Sequence, residues 1–383
     1  MVAEPARCSS RGGAGGSGRR VRAAGWLSAV ALLFATALTI PACGPSYGEA
    51  FLHPFRAAQR AYGAGRYQEA AQLFEQAGGH AIRLKDRDEA FFMQARMYER
   101  LGRWDLVRAT YLRLIELSPQ GPRTGRAVFE LADVELAHGD ASRGWPMVRA
   151  GIERYPNHGS ARRALTRWTE HCASAAGEPQ LMAQLDQWLT TLAGTDLEQQ
   201  VKVERGRSLY RSGKLVEARQ QLVRAARQHP YPKGSLTDDA WLQAAEIAEQ
   251  LEDYRQAIAD LRELLSAREL AAGGSYERPL YPLAQMRIAR LYRDRLGDRA
   301  AALRELQIMI TDHADSVLAD DAMWEAALLF RELGDRDEVC DLAADLRERR
   351  PASRYRRCVH ELCPTVTSVA GERPCPPYLS DQL

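Results

Sequence analysis

Apolar residues between Ala90 and Pro119 recur every three or four positions, in two consecutive stripes. The first stripe consists of Phe91, Ala95, Tyr98 and Leu101, and the second consists of Val107, Tyr111, Leu114 and Ile115. This spacing places each stripe on one face of an α-helix. Gly102 separates the stripes and Pro119 follows the second, which favours a tight turn and then a helix end. The segment is therefore predicted to form a helical hairpin.

The same plan recurs along most of the chain, at steps of 36 to 45 residues. The turn positions are Gly65, Gly102, Gly139, Gly177, Gly213, Glu252, Gly297 and Gly334. A small residue marks the middle of the first helix at Ala58, Ala95, Ala132, Gly206, Ala245, Ala289 and Ala327. Such hairpins keep apolar faces that only neighbouring hairpins can cover. We expect an all-α solenoid of about eight hairpins over residues 51–351, and no stretch alternates with the period of a strand.

This pattern resembles the tetratricopeptide repeat, in which a small residue, an aromatic residue and a turn glycine recur at fixed positions. The best single match contains Trp241, Ala245, Tyr254, Ala257, Leu261 and Leu264. The resemblance implies a right-handed solenoid whose first helices line a concave, protein-binding groove. By register, the groove candidates are Phe92, Arg96, Glu99, Phe129, Asp133, Leu136, Arg207, Tyr210, Glu246 and Trp324. Each aromatic residue in this set could equally belong to the core.

The beginning of the chain has the pattern of a secretory signal. Three arginines at positions 19, 20 and 22 precede the apolar run 23–40, and Pro41, Ala42 and Cys43 follow it. The ending resembles a bacterial lipoprotein signal, which implies a signal peptide over residues 1–42 and a lipid on Cys43. Residues 43–50 would then form a short tether that keeps the first repeat close to the membrane. An uncleaved anchor is the main alternative, because 18 apolar residues just reach spanning length; simple cleavage is another.

Charge argues against a nucleic-acid-binding protein. The whole sequence carries a formal net charge of +2, but residues 1–42 contain five arginines and one glutamate. Their removal leaves a net charge of −2, whereas nucleic-acid binding needs a strongly basic face.

Four of the seven cysteines lie close together in the sequence, at Cys340, Cys358, Cys363 and Cys375. In an oxidising compartment this clustering favours disulfides. We expect bonds between Cys340 and Cys358 and between Cys363 and Cys375, which would attach a capping helix and a Cys/Pro-rich tail, residues 352–383, to the last repeat. A zinc site formed by Cys358, His360, Cys363 and Cys375 is the alternative. Cys172 is expected to be a packing residue.

The chain contains no recognisable catalytic motif, so we expect no enzyme activity, no cofactor and no small-molecule substrate. The acidic pairs Asp238–Asp239 and Asp320–Asp321 resemble catalytic carboxylates, but both are expected at helix starts, where acidic residues favour the helix dipole.

Two linker stretches, Arg154 to Leu165 and Asp312 to Asp335, resemble those of periplasmic repeat lipoproteins, namely the BamD-type outer-membrane assembly family and the TolA-binding cell-division coordinator family. The resemblance implies a lipid-anchored scaffold, at the outer membrane and facing the periplasm, that binds unidentified envelope proteins and acts in outer-membrane protein assembly. An accessory or pilotin-like lipoprotein of a secretion, motility or cell-wall machine is the alternative. A substrate-guiding solenoid of a cell-wall lytic enzyme would need an added catalytic domain.

Overall fold

The computed structural model describes residues 48–174, 177–266, 269–271, 274–276, 278–367 and 373–383. Sixteen of the described helices form eight consecutive hairpins, as the repeat pattern predicts. The first helices of the hairpins are α1 (Glu49–Gly63), α3 (Leu84–Arg100), α5 (Thr124–His138), α7 (Ala161–Ser174), α9 (Glu198–Arg211), α11 (Thr237–Gln250), α13 (Tyr281–Asp294) and α15 (Ala319–Leu333). The second helices are α2 (Tyr67–His80), α4 (Trp104–Leu117), α6 (Ala141–Arg154), α8 (Glu178–Thr191), α10 (Leu215–Gln228), α12 (Tyr254–Leu265), α14 (Arg299–Asp312) and α16 (Arg336–Arg349).

The first helix of the repeats begins two residues before the predicted domain boundary at residue 51. Helix α1 begins at Glu49, inside the segment 43–50 that was predicted to be a tether. The predicted signal peptide and Cys43 lie outside the described residues. No helix within the described ranges combines the length and apolar character needed to cross a membrane.

The turn between the two helices of a hairpin is left-handed at most of the predicted positions. Gly65, Gly102, Gly213, Gly297 and Gly334 have φ between 66° and 81°, and Glu252 has φ of 59°. Gly139 and Gly177 depart from the prediction, with φ of −128° and −93°. Gly139 is needed for space instead, because a Cβ there would lie 3.1 Å from the backbone of Glu135. Gly177 precedes helix α8, whose first turn accommodates Pro179.

Small residues in the middle of the first helices allow the hairpins to pack closely. Ala58, Ala95, Ala132 and Ala245 are fully buried, as the pattern predicts. Each apolar cluster joins neighbouring hairpins; one extends from Ala58 in α1 to Val134 in α5. Leu101 is an exception to the predicted stripe, since it follows the end of α3 and is exposed. The core of the described residues is therefore a series of apolar clusters between first and second helices.

Polar side chains near the start of the first helices hold the loops that lead into the next hairpin. Gln199 donates from Nε2 to Thr237 Oγ1 at 3.1 Å and accepts from the Leu236 N–H at 3.1 Å. One hairpin later, Asp238 forms an ion pair with the buried Arg278 at 3.0 Å. The helix starts at Asp238–Asp239 and Asp320–Asp321 are confirmed.

A short antiparallel strand pair, β1 (Glu269–Ala271) and β2 (Gly274–Tyr276), lies between α12 and α13. Glu269 pairs with Tyr276, and Ala271 pairs with Gly274. This strand pair was not predicted, because three-residue strands are too short to show an alternating pattern. This insertion accounts for the longest step in the repeat.

The C-terminal cysteines form disulfides, but the predicted pairing was wrong. Cys340 pairs with Cys363 and Cys358 pairs with Cys375, at Cα separations of 5.1 and 4.8 Å. Cys358 ends a 3₁₀ turn (Arg356–Cys358) that continues as helix α17 (Val359–Leu362). Cys358 and Cys363 are five residues apart and so point about 140° apart on a helix, which lets one face α16 and the other face the tail. The spacing alone does not say which of the two pairs with Cys340 on α16. The bonds occupy all three cysteines of the alternative zinc site.

Candidate functional site

Side chains on the first helices of neighbouring hairpins meet at equivalent positions. In each contact, one residue lies six or seven positions before the turn of its own hairpin. The other residue lies in the following hairpin, nine or ten positions before that hairpin's turn. The contacts are Asp133–Arg167 at 2.5 Å, Arg207–Gln243 at 3.2 Å, Glu246–Arg287 at 2.8 Å and Arg290–Glu325 at 2.6 Å. We call the surface that carries these contacts the first-helix face. The row joins α5 to α7 and then runs from α9 through α11 and α13 to α15.

Three predicted groove residues, Asp133, Arg207 and Glu246, are members of this row. Tyr210 lies on the same face, partly exposed, and its hydroxyl accepts a hydrogen bond from Gln250 Nε2 at 2.7 Å. The structure thus brings these four residues together on one face. Each of them contacts the next hairpin, so the row is built by the stacking of repeats.

Arg96 and Glu99 form an ion pair of 2.6 Å within helix α3. The buried Tyr111 hydroxyl also donates to Glu99, at 2.7 Å. Burial raises the pKa of the Glu99 carboxyl, and the bonds from Tyr111 and Arg96 offset this only in part. Leu136 is half-buried, and a Cβ at Gly144 would lie 2.7 Å from its side chain. Glu99 and Leu136 therefore hold the two helices of a hairpin together as well as reaching the surface.

The three predicted aromatic residues Phe92, Phe129 and Trp324 are buried in the core. Their exposed fractions are 3%, 5% and 1%. The Phe92 ring packs against Tyr111 and lies under the guanidinium groups of Arg123 and Arg126, at 5.2 and 5.0 Å. Loop and tail residues cover the other two rings, so their prediction as binding residues is corrected.

The cover over Trp324 comes from the C-terminal segment of the chain. Tyr355 stacks on the indole with ring centroids 4.8 Å apart, and Gln382 accepts a hydrogen bond from Trp324 Nε1 at 3.0 Å. Leu379, in helix α18 (Pro377–Ser380), belongs to the same apolar cluster. Phe129 is covered in the same way by His158, at 5.7 Å. In both cases residues from outside the hairpin's own two helices provide the cover.

Helix α13 contributes an arginine strip that sequence reasoning missed. Arg287, Arg290 and Arg293 recur every three residues, which places them on one side of the helix. Arg287 pairs with Glu246 and Glu249 on α11, while Arg290 and Arg293 both pair with Glu325 on α15. The i, i+3, i+6 spacing in the sequence was the signal that could have identified the strip.

The carboxylates around the strip keep its arginines charged. Burial lowers the pKa of Arg287, but hydrogen bonds to Glu249 and Glu246 outweigh it, and the net shift is upward. The hydrogen bond from Arg293 to Asp294 raises its pKa despite burial. Arginines that stay protonated and point along one face can bind carboxylates or backbone carbonyls of a partner.

Two grooves flank the strip, and Arg290 lines both. The groove of about 350 Å³ lies on the α11 side and includes Glu249 and Leu283. The groove of about 450 Å³ lies between α13, α15 and the C-terminal segment, and includes Leu328. Across the described residues, no three potential metal ligands converge on one point. The arrangement offers apolar and charged contacts in alternation, as protein-binding surfaces do.

Comparison with known proteins agrees with the repeat pattern. Tetratricopeptide-repeat models match residues 55–122 and 203–272, and a second such model matches residues 283–316. These segments therefore match tetratricopeptide-repeat models. The matches cover the hairpins of α1 to α4 and α9 to α14. The hairpins of α5 to α8 and of α15 and α16 continue the tetratricopeptide-like arrangement between and beyond them.

Two solved structures show a limited similarity to this chain. The C-terminal part of a TPR repeat-containing protein from Cytophaga hutchinsonii is 12% identical, with 81% of this chain and 99% of that chain covered and a TM-score of 0.38. Pseudomonas aeruginosa pilF is 18% identical, with 60% and 93% covered and a TM-score of 0.35. At these TM-scores the likeness does not extend to function. No curated protein matches the chain in sequence.

Proposed function

We propose that this tetratricopeptide-repeat chain is a non-enzymatic, lipid-anchored scaffold of the cell envelope that binds partner proteins along its first-helix face. The observation that carries the proposal is the periodic row of contacts from Asp133 to Glu325, with the arginine strip of α13 and its two grooves. Tetratricopeptide repeats typically serve protein–protein interaction, and this face is where the repeats meet.

The chemistry of the face favours an extended protein segment. Its arginines alternate with glutamates, so the face has no strong net charge, which is unlike a nucleic-acid surface. The Arg290 side chain is 46% exposed, so its guanidinium can bind a partner carboxylate or carbonyl while Glu325 remains paired with Arg293. Leu283 and Leu328 supply apolar contacts on either side of the strip.

The membrane part of the proposal rests on the N-terminal pattern. Basic residues, an apolar run and Cys43 in lipoprotein-signal context support cleavage after Ala42 and lipid attachment at Cys43. The repeats then lie at the outer membrane and face the periplasm. Outer-membrane protein assembly is the setting we propose, by similarity to the BamD-type and TolA-binding families.

The test is photo-crosslinking in living cells. A photoreactive amino acid replaces Tyr210 or Leu328 on the first-helix face, and Leu112, exposed on helix α4, as the control position. Crosslinked proteins are identified by mass spectrometry in the wild type and in Cys43→Ser. We expect a shared partner from the two face positions and none from Leu112. Crosslinks from position 112 alone would refute partner binding by the first-helix face. Crosslinks unchanged by Cys43→Ser would refute lipid anchoring at Cys43.

A charge reversal gives an independent measurement. Arg290→Glu should weaken the captured complex by about tenfold, since it removes the residue shared by both grooves. Arg304→Glu is the matched control, because it makes the same change on the exposed side of second helix α14. Equal loss in both variants would point to a general charge effect. Recovery of outer-membrane assembly proteins would support a role in outer-membrane protein assembly. Recovery of secretion, motility or cell-wall components would contradict that role and favour an accessory lipoprotein of such a machine.

A further inference from the structure

The connection from α2 to the first residue of α3 carries an unusually exposed pair of apolar side chains. Ile82 is 77% exposed and Leu84 is 45% exposed. They alternate with basic residues in the segment His80, Ala81, Ile82, Arg83, Leu84 and Lys85, in which His80 and Lys85 are also exposed. We call residues 80–85 the 80–85 segment. Single exposed apolar residues are common, but neighbouring ones flanked by basic residues are typical of a membrane-contacting surface.

The 80–85 segment lies beside the point where the described chain begins. A Cβ built on Gly48 would lie 3.1 Å from Ile82 Cδ1, so the isoleucine side chain lies close to Gly48. Helix α1 starts at the next residue. Cys43 is five residues before Gly48, and an extended chain of that length reaches at most about 18 Å. A lipid on Cys43 therefore holds Ile82 within reach of the membrane surface.

We propose that the 80–85 segment docks on the lipid surface, with Ile82 and Leu84 inserted among the headgroups and the basic side chains on anionic phosphates. This inference rests on the proposed lipid anchor at Cys43. Anchoring makes weak docking effective, because the segment is held at high local concentration near the bilayer. A second membrane contact also strengthens attachment beyond what acyl chains alone supply.

Charge separates this segment from Val317, a second strongly exposed apolar residue. Val317, in the loop between α14 and α15, is 89% exposed, but Asp315, Asp320 and Asp321 surround it in the sequence, and Arg354 offsets part of their charge by pairing with Asp321 at 2.7 Å. An acidic neighbourhood is repelled by anionic lipid, whereas basic residues near the surface are attracted. Asp86 pairs with Arg83 at 2.5 Å and offsets part of the positive charge. Insertion of the two apolar side chains is therefore the larger contribution.

The experiment measures depth in vesicles of phosphatidylethanolamine and phosphatidylglycerol. The processed, lipidated protein carries Cys172→Ser, so that a fluorescent reporter attaches only to an introduced cysteine. The reporter is placed by His80→Cys, beside Ile82, or by Ala314→Cys, beside Val317. Nitroxide-labelled lipids then quench a reporter that lies at the bilayer surface. We expect clear quenching at position 80 and little at position 314.

A double variant tests the side chains themselves. With the reporter at position 80, Ile82→Asp together with Leu84→Asp should reduce the ratio of docked to free segment by about tenfold or more. Val317→Asp is the matched control and should change nothing. Equal quenching at both reporter positions would overturn docking.

Vesicle flotation separates this failure from a failure of the anchor. Protein that floats with the vesicles but shows no difference between positions 80 and 314 retains the anchor and lacks the docking. If the protein does not float with the vesicles, lipid anchoring at Cys43 is refuted, and the docking of the 80–85 segment that rests on it is refuted as well.

Discussion

Glu252 occupies a backbone conformation that glycine adopts at the equivalent turns. Its φ is 59°, and among the described residues it is the one non-glycine residue with positive φ. Its N–H donates to the Glu249 carbonyl at 3.0 Å, and the Asp253 N–H donates to the Ala248 carbonyl at 2.9 Å. The same two bonds occur around Gly102. Replacement of Glu252 by glycine should therefore keep the turn and remove the strain.

The expected gain follows from two opposing effects. A left-handed conformation costs an ordinary L-residue about 1–2 kcal/mol. Glycine loses about 0.5–1 kcal/mol more backbone entropy than alanine when the chain folds. Glu252→Gly should thus stabilise the protein by about 0.5–1 kcal/mol. Gly213→Ala is the reverse change, because φ is 74° there and no other group lies within 4 Å of the added Cβ.

Urea unfolding followed by helical circular dichroism measures both changes. With a denaturant slope of about 2–3 kcal/mol/M, Glu252→Gly should raise the midpoint by about 0.2–0.5 M and Gly213→Ala should lower it. Amide hydrogen exchange in α11 and α12 would localise the effect, since repeats can unfold separately. A midpoint that stays the same or falls in Glu252→Gly, while Gly213→Ala falls, would refute the reasoning from backbone strain.

Three further predictions concern buried groups. Phe92→Ser and Phe129→Ser should each destabilise the fold by about 3 kcal/mol in thermal unfolding. Unchanged stability with weaker partner binding would show instead that these rings bind the partner. Burial raises the pKa of Asp88 in the folded state, so this carboxyl's stabilising contribution is present below its unfolded pKa of about 3.8 and falls as pH rises. Asp88→Asn should therefore gain stability relative to the wild type from about pH 3 to pH 7 in urea unfolding, and a constant difference would contradict this. Cys358→Ser with Cys375→Ser opens a loop of 17 residues and should cost about 3 kcal/mol, with faster proteolysis of the tail; an equally resistant tail would show that packing alone holds it.

The hairpins were predictable because they depend on local features of the chain. The small residues Ala95 and Ala132 lie where helices pack closely, and Gly102 and Gly213 lie where the backbone has positive φ. Even Glu252 was identified by its place in the repeat. The spacing of apolar residues along the chain decides which side of a helix is apolar. This can be read without knowing which helices pack against it.

The candidate site was only partly predictable, for a physical reason. Asp133 and Arg207 reach the first-helix face as the register implies, but Phe92 and Trp324 are covered by residues 19 or more positions away in the sequence. Helical period says that a side chain lies on a given side; it does not say what covers that side. The arginine strip of α13 became a site only through glutamates on α11 and α15.

The amino-acid sequence by itself determined the all-α class, the repeat length, the turn positions and the presence of disulfides near the C-terminus, because these follow from local spacing and composition. The tertiary structure decided which aromatic rings are buried, which arginines join neighbouring hairpins, and how the cysteines pair. Cys340 reaches Cys363, and Cys358 reaches Cys375, because helix α17 folds back between α16 and the tail. Such contacts depend on where distant segments meet after the hairpins stack, and no local pattern encodes that position.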